Sequence, residues 1–422
     1  MYGILKSFFC GSLVVAALSA YAQAPLTLQD AQRRALERSR LLVVQDLAIR
    51  SSREMAVAAA QLPDPVLKIG VDNLPVNGAD QFSYIRDFMT MRRIGVMQEI
   101  TRGEKRELRA QRFDREAEKS AAEKAAAIAS IQRDTALAWL ERYYAEAMAK
   151  VIAEQIDQAK GEIVAAEGVY RGGRGGQADV IGAYSTLAAL EDRASELGRR
   201  VRVAKSSLAR WMGDGADAPL AGRPPIDIVH LDSEALENQL AHHPEIAVLA
   251  KREEIAATEA KIAQANRSPD WSVEVAYQQR GPLYSNMVSV GVSVPFPWDR
   301  ANRQDREIAS KVAMAEGARA EREEMLRAHT GEVRAMIAEW QNGRERLARY
   351  ENDLLPLSAE RSKAALAGYQ GGKTGVADVL LARRNETDMR MQAVQLEMET
   401  ARLWAQLEFL IPQDARHGGL VK

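Results

Sequence analysis

The sequence predicts a mainly helical protein made of long coiled-coil hairpins, with a few short strands of the kind that line a membrane β-barrel, and with the whole plan present twice. Three observations carry this expectation. Ala, Arg, Glu and Leu are abundant while aromatic residues make up 6% and charged residues 27% of the 422 positions, a composition of long amphipathic helices rather than compact globules. The stretch Val169-Tyr170-Arg171-Gly172-Gly173-Arg174-Gly175-Gly176-Gln177-Ala178-Asp179-Val180 returns as Gly368-Tyr369-Gln370-Gly371-Gly372-Lys373-Thr374-Gly375-Val376-Ala377-Asp378-Val379. Tyr170 and Tyr369 are separated by the same interval as Asp179 and Asp378, which marks a duplicated unit. Each half also holds two short segments in which apolar and polar residues alternate with the period of a strand.

Residues 1–24 carry Lys6, an apolar core from Phe8 to Leu18 and then Ala22-Gln23-Ala24, the pattern of a secretory signal peptide cleaved before Pro25. Cys10 is the single cysteine. It lies inside that apolar core after Phe8-Phe9, without the small residue expected before a lipidated cysteine, so the mature chain is expected to be exported, unlipidated and free of disulfides. No apolar run of about 18 residues follows, so any membrane crossing must be made by strands. The formal net charge of -1 gives no electrostatic case for a nucleic-acid partner.

From Leu26 a helical pattern runs through Leu28, Ala31, Ala35, Leu36, Leu42 and Ile49, with Thr27 as its cap, and stops at Leu62-Pro63-Asp64-Pro65. Its counterpart runs from Leu231 to Ala265 and stops at Ser268-Pro269-Asp270. After each Pro-Asp the period becomes two. Leu67, Ile69 and Val71 alternate with Lys68, Gly70 and Asp72, and a second strand carrying Ile94 and Val96 follows a polar loop with Asn73-Leu74-Pro75 and Asn77-Gly78. In the second half Trp271, Val273, Val275 and Tyr277 alternate with Ser272, Glu274, Ala276 and Gln278; Val288, Val290, Val292 and Val294 then alternate with Ser289, Gly291 and Ser293. This is the length and alternation of barrel strands with an apolar outside and a wet lumen, and Trp271, Tyr277, Phe296 and Trp298 stand where an aromatic girdle would lie. Taken alone, the strands favour an ordinary antiparallel sheet with one solvated face.

Gly103–Tyr170 and Asp299–Tyr369 are nearly free of breakers, Pro356 being the exception that should kink its helix. A helix of that length is about 100 Å long and must pack sideways. The return segment shows the seam. Val180, Ala183, Leu187, Leu190, Ala194, Leu197, Val201, Ala204, Leu208 and Trp211 keep a 3,4 spacing, and the second copy repeats it through Val379, Ala382, Glu386, Met389, Ala393, Leu396, Thr400, Leu403, Leu407 and Leu410 with two polar substitutions. A Gly-, Pro- and Asp-containing linker, Gly213 to Pro225, joins the halves. The expected division is therefore 1–24 signal peptide, 25–221 first repeat, 222–412 second repeat and 413–422 a polar disordered tail.

This order, and above all the paired tips Tyr170–Val180 and Tyr369–Val379 with their aromatic-x-x-Gly and Asp-Val elements, resembles the TolC-type outer-membrane efflux channels over Leu26 to Pro412. The resemblance implies a homotrimer whose protomers each give four strands to a 12-stranded barrel in outer-membrane lipid, continued by a helical barrel in the periplasm. It also implies a periplasmic adaptor and an inner-membrane resistance-nodulation-division pump as partners, and no cofactor. Four strands cannot close alone whereas twelve can. Met91-Arg92-Arg93-Ile94-Gly95-Val96-Met97-Gln98-Glu99 and Arg102-Gly103-Glu104-Lys105-Arg106 look like the heavy-metal branch, closer to its cobalt/zinc/cadmium group than to the commonly lipidated copper/silver group. The function implied is the exit channel of a tripartite pump for heavy-metal cations. Drug export or polypeptide secretion is the alternative within the class, and a periplasmic coiled-coil scaffold the alternative outside it.

Gly172, Gly173, Gly175 and Gly176 let the chain reverse between helices. As the resemblance implies, Gly172-Gly173-Arg174 and Gly371-Gly372-Lys373 form adaptor-contacting tips, Asp378 lines the periplasmic aperture, and Asp179 hydrogen-bonds with Tyr369 to hold it shut. Asp179 and Asp378 also suit the positive end of the helix each one begins. Thr374 and Leu381 stand where some relatives carry a basic residue and a second acidic ring, so fewer polar ties are expected at the gate. Lys68, Asp72, Glu274 and Gln278 are the candidate lumen residues. Gly372-Lys373-Thr374 is not a phosphate loop, since position 367 is Ala and a helix, not a strand, precedes it. His242-His243-x-Glu245 and Met89, Met91 and Met97 do not make a metal site: the histidines are expected to be solvated cap positions before Pro244, and the methionines packing residues. No nucleophile–base constellation is present, so no enzyme is expected.

Overall fold

The computed structural model describes residues 25–410 except Arg174, Pro224 and 232–235, with Glu237 described in its backbone alone. The leader, Cys10, the tail and Arg174 of the first tip therefore lie outside the described residues. The order helix, two strands, long helical hairpin occurs twice.

In the first half, Thr27 caps α1 (Leu28–Arg38) by accepting from the Asp30 N–H at 3.0 Å, as expected. The expected continuous helix is interrupted at Ser39, whose extended backbone separates α1 from α2 (Arg40–Ala59). β1 (Val66–Asp72) and β2 (Met91–Ile100) follow, then α3 (Gly103–Arg171) and α4 (Gln177–Met212). The second half opens with a short α5 (Leu236–Ala241) and α6 (Pro244–Ala265), so its first helical segment also comes in two pieces. β3 (Trp271–Gln279) and β4 (Met287–Ser293) lead to α7 (Gln304–Arg349), α8 (Leu355–Gln370) and α9 (Val376–Glu408). Val294, expected in the last strand, lies just past it.

The irregularity at Pro356 takes a specific form. Residues Tyr350–Leu354 make one π-helical turn between α7 and α8, with Pro356 in the first turn of α8. A proline has no N–H to donate and its ring crowds the carbonyl four residues back, so the turn before it widens.

α3 is the spine. Its 69 residues make a rod about 100 Å long, against which α1, α2, α4, α6 and α9 pack. The predicted seam of α4 is the face that packs: Ala183, Leu197, Ala204 and Leu208 are buried and the intervening seam positions half-buried, while Ile181, Tyr184 and Val203 off the seam are exposed. In α9 the corresponding positions Val379, Ala382, Leu396, Thr400 and Leu407 are buried, as is Leu410 just past its end. Each large aliphatic side chain so buried contributes roughly 1.5–3 kcal/mol. α7 and α9 approach closely at Gly343, where a Cβ would stand 2.5 Å from the Thr400 hydroxyl.

The apolar core is concentrated at the level of the linker. Trp139, Leu140, Tyr144 and Ile152 of α3 meet Leu208 of α4, Ile226 just past the linker, Leu240 of α5, Val333 and Trp340 of α7, and Trp404 and Leu407 of α9. Three indoles fasten extended segments there. The Trp139 N–H donates to the Leu26 carbonyl at 3.3 Å, that of Trp340 to Ile226 at 3.1 Å and that of Trp404 to Ile228 at 2.9 Å. Leu26–Trp139 and Ile226–Trp340 are the same device at nearly the same sequence interval as the paired tips. Arg142, 2% exposed, donates to the Ala216 carbonyl and, at 2.8 Å, to that of Ala218.

His243 corrects an expectation. It caps α6, its Nδ1 accepting from the Glu245 N–H at 3.3 Å, but it is buried rather than solvated, with its ring 4.6 Å from that of His329 on α7. His242 is exposed, as expected. The difference arises because Pro244 and Ile246 carry the start of α6 into the core. Burial, and then the neighbouring His329, push the His243 pKa down to about 4. A base whose folded pKa lies below its unfolded value contributes stability above the unfolded pKa, and this is lost as pH falls through the folded one. Thermal midpoints should therefore fall more steeply between about pH 6.5 and 4 in the native protein than in His243→Asn, which keeps a capping side chain without the titration. Parallel melting profiles, followed by circular dichroism, would show that this imidazole is not the source.

Candidate functional site

The four strands form one antiparallel sheet in the order β1-β2-β3-β4, and β1 and β4 are its unpaired edges. The register brings Leu67, Val96, Val275 and Val290 into one row, and Ile69, Ile94, Tyr277 and Val288 into the next. All eight are exposed, Ile69 at 74%. The opposite face carries Lys68, Asp72, Arg93, Glu274, Gln278 and Ser289, and these polar side chains are the more covered ones. The sheet is thus inverted relative to a soluble one, with apolar side chains outward and ion pairs within.

The sequence-predicted Lys68, Asp72, Glu274 and Gln278 are brought to that one polar face. Lys68 Nζ lies 2.7 Å from Glu274 Oε2, Arg93 pairs closely with the other oxygen of Glu274, and Arg93 is 3.8 Å from Asp72. Gln278 donates to the Ser289 hydroxyl at 3.3 Å. Arg93, the centre of this network, was not among the predicted residues. Its parity, one off the outward Ile94, was the available signal.

At the far end of the rods the described Gly-Gly pairs of the two tips take up the same backbone. α3 ends at Arg171, Gly172 follows near φ -76, ψ 1, and Gly173 turns left-handed at φ 72. α8 ends at Gln370, Gly371 follows near φ -79, ψ 2, and Gly372 stands at φ 69. Only glycine takes up such a φ without penalty, which is why each tip repeats a Gly-Gly pair. Nothing lies within 4 Å of where a Cβ would stand at Gly173 or Gly372, so both tips are open to solvent.

Asp179 accepts from the Gly176 N–H at 3.2 Å, and Asp378 from the Gly375 N–H at 3.3 Å. Within one chain each carboxylate is therefore the cap of its own return helix. The Asp179–Tyr369 bond is not made here, and the Tyr369 hydroxyl is a buried oxygen with no hydrogen-bond partner among the described residues. Lys373 is exposed at the second tip. Thr374 packs against Gly368, its hydroxyl donating to the Ala365 carbonyl at 3.4 Å.

Above the tips, polar ties cross between the hairpins. Arg383 reaches Gln158 at 3.2 Å and Glu162 at 3.7 Å, Arg193 reaches Asp388 at 3.2 Å, Arg390 reaches Glu154 at 2.7 Å, and Arg402 pairs closely with Glu141. The α3–α9 members follow a single antiparallel register. Arg383, nearest the tip, is the least satisfied: its Nε and the Glu386 Oε2, 3.8 Å from its Nη1, are buried with no hydrogen-bond partner among the described residues. Burial pushes the Glu162 carboxyl above its usual range, against the pull of Arg383. A cavity of about 290 Å³ lies beside this group between α4 and α9. No motif announced these ties, because each joins residues far apart in the chain.

Among the described residues no group of three or more His, Cys, Asp or Glu side chains could hold a metal, and no helix is long and apolar enough to cross a membrane.

The fold built from an inverted four-stranded sheet with open edges and two rod-like hairpins with glycine tips recurs in solved outer-membrane channels. Residues 235–412 match the family model of outer membrane efflux proteins (OEP), a family of non-enzymatic ducts. The outer membrane protein VceC of Vibrio cholerae superposes with a TM-score of 0.74 at 20% identity, over 91% of this chain and 95% of that one. The outer-membrane channel OprN gives 0.75 at 18%, over 91% and 89%, and CusC, described as forming a transmembrane channel, gives 0.77 at 14%, over 93% and 95%. No curated protein matches.

Proposed function

We propose that the chain is the outer-membrane channel of a tripartite efflux system, a passive duct between a pump–adaptor pair and the exterior. The observation that carries this reading is the inverted sheet. Exposed Ile69, Val288 and Val290 are costly against water and favourable against lipid, while the Lys68–Arg93–Glu274 network suits a wet lumen. Unpaired edges at β1 and β4 cannot persist in a bilayer, so copies of the chain must pair edge to edge. Three copies give a twelve-stranded barrel, with the rods forming a helical barrel in the periplasm.

We take 25–221 and 222–412 as two repeats of one unit, supported by the matched tips and by the matched Trp139–Leu26 and Trp340–Ile226 bonds. In the trimer, Gly172, Gly173, Arg174, Gly371, Gly372 and Lys373 meet the periplasmic adaptor, and Asp179, Tyr369 and Asp378 lie at the aperture. The Tyr369 hydroxyl, without a partner among the described residues of one chain, supports a bond completed on assembly. Heavy-metal cations are the proposed cargo, on the strength of the Met91–Glu99 and Arg102–Arg106 stretches.

Fractionation tests the channel reading. A heat-resistant trimer in outer-membrane detergent extracts is the expected result, and a soluble monomer, as a periplasmic scaffold would give, would overturn it. Asp378→Ala should alter single-channel conductance or its block by cations in planar bilayers; unchanged traces would remove Asp378 from the aperture. A deletion strain should become sensitive to zinc, cobalt or cadmium salts, and sensitivity to drugs alone would reassign the cargo.

A further inference from the structure

We propose that Arg92 is a docking point for the phosphate of an outer-leaflet lipid headgroup, an inference that rests on the outer-membrane barrel proposed above. Along β2 the outward positions are Arg92, Ile94, Val96, Gln98 and Ile100, alternating with Met91, Arg93, Gly95, Met97 and Glu99 on the polar face. Arg92 stands beside Val71 and Gln279 in the last outward row before the loops. Every helix adjoining the sheet leaves from the other end, near Val66, Ile100, Trp271 and Ser293. The Arg92 row is therefore at the end remote from the rods, which in the proposed orientation is the external rim of the apolar band.

The rod end presents exposed Trp271, Phe296 and Trp298, the last at 90%, an aromatic belt suited to an interface of any charge. The loop end presents exposed Phe82, Tyr84 and Phe88 of its own, and beside them Arg92. The acids near Arg92 are occupied elsewhere. Asp72 faces inward beside Arg93, Asp80 lies 3.5 Å from Arg86, and one Asp87 oxygen accepts from the Met89 and Thr90 N–H groups. Arg92 itself is exposed and makes no hydrogen bond or ion pair with any described residue. Its counterpart one position on, Arg93, pairs with two carboxylates. An unneutralised guanidinium at the top of a lipid-facing stripe lies at headgroup depth, and its planar fork matches two oxygens of a phosphate.

The test uses the purified full-length trimer in detergent, offered diphosphorylated lipid A or the same lipid with its phosphates removed, with retained lipid counted by native mass spectrometry. Native protein should retain the phosphorylated lipid about fivefold better than Arg92→Ala, the size expected of one arginine at a membrane surface. Arg92→Lys should fall between them, and the dephosphorylated lipid should not distinguish the three. Equal retention of phosphorylated lipid by the native protein and Arg92→Ala, or equal retention of both lipids by the native protein, would overturn the proposal. Because Arg92 holds nothing within the chain, the variants should insert into phosphatidylcholine vesicles as the native protein does. Failure of the native protein to insert would defeat the barrel reading itself; insertion without phosphate selectivity would defeat this inference alone.

Discussion

Replacing Gly173 and Gly372 together by tryptophan is expected to leave the trimer assembled and to abolish export. Both glycines are left-handed, at φ 72 and 69, and no atom lies within 4 Å of a Cβ built at either. The substitutions therefore meet no clash within the chain. The cost to folding is the left-handed conformation, roughly 1–2 kcal/mol at each site, set against a hairpin held along its whole length by the α4 and α9 seams. The indoles would project from the ends of the rods, where the proposed adaptor contact is made. Heat-resistant trimer in membrane extracts together with a null resistance phenotype is the expected pair of results. Normal resistance in a correctly assembled double variant would rule out docking at these tips, and loss of the trimer would mean that the tips are structural.

Arg142→Ala is expected to have the largest effect on stability of any single substitution near the linker. The side chain is 2% exposed, pairs with Glu146 at 2.8 Å and holds the carbonyls of Ala216 and Ala218. Removing it leaves buried acceptors without donors and a carboxylate without its cation, a loss of roughly 3–5 kcal/mol. The consequence is mechanical as well as energetic, because the linker it fastens runs beside Leu26, itself bridged to Leu220 and tied to Trp139. Thermal unfolding in detergent should show a clearly lowered midpoint for Arg142→Ala and a smaller drop for Arg142→Lys, which keeps the charge but can reach fewer acceptors. An unchanged midpoint in the alanine variant would show that these two linker carbonyls need no donor to hold the linker in place.

The parts of the fold legible in the sequence are those governed by local rules. The 3,4 seam of α4 is the buried face, the alternating segments are strands, and the glycine pairs stand where the backbone turns left-handed. Pro356 does disturb its helix, although the form of the disturbance, a π-helical turn placed before it, depends on how α7 and α8 stay in line. The break at Ser39 was not legible, since Leu36, Leu42 and Ile49 keep a helical period across it. Of the candidate site, the polar strand positions were legible by parity, and Arg93 was missed only because its strand was read from Ile94 and Val96.

What the sequence determined by itself is the kind of each element and the shape of its ends, because period, caps and turns act over a few residues. Asp179 and Asp378 as caps, and Gly173 and Gly372 as turns, follow from such rules. Only the tertiary structure decided which rods are neighbours and in what register. The ties of Arg383 to Glu162 and of Arg402 to Glu141, the contact of His243 with His329, and the meeting of Lys68 with Glu274 all join segments from different parts of the chain. Long-range register is set by how whole apolar faces fit together, and a polar pair at such a contact leaves no periodic trace in either segment.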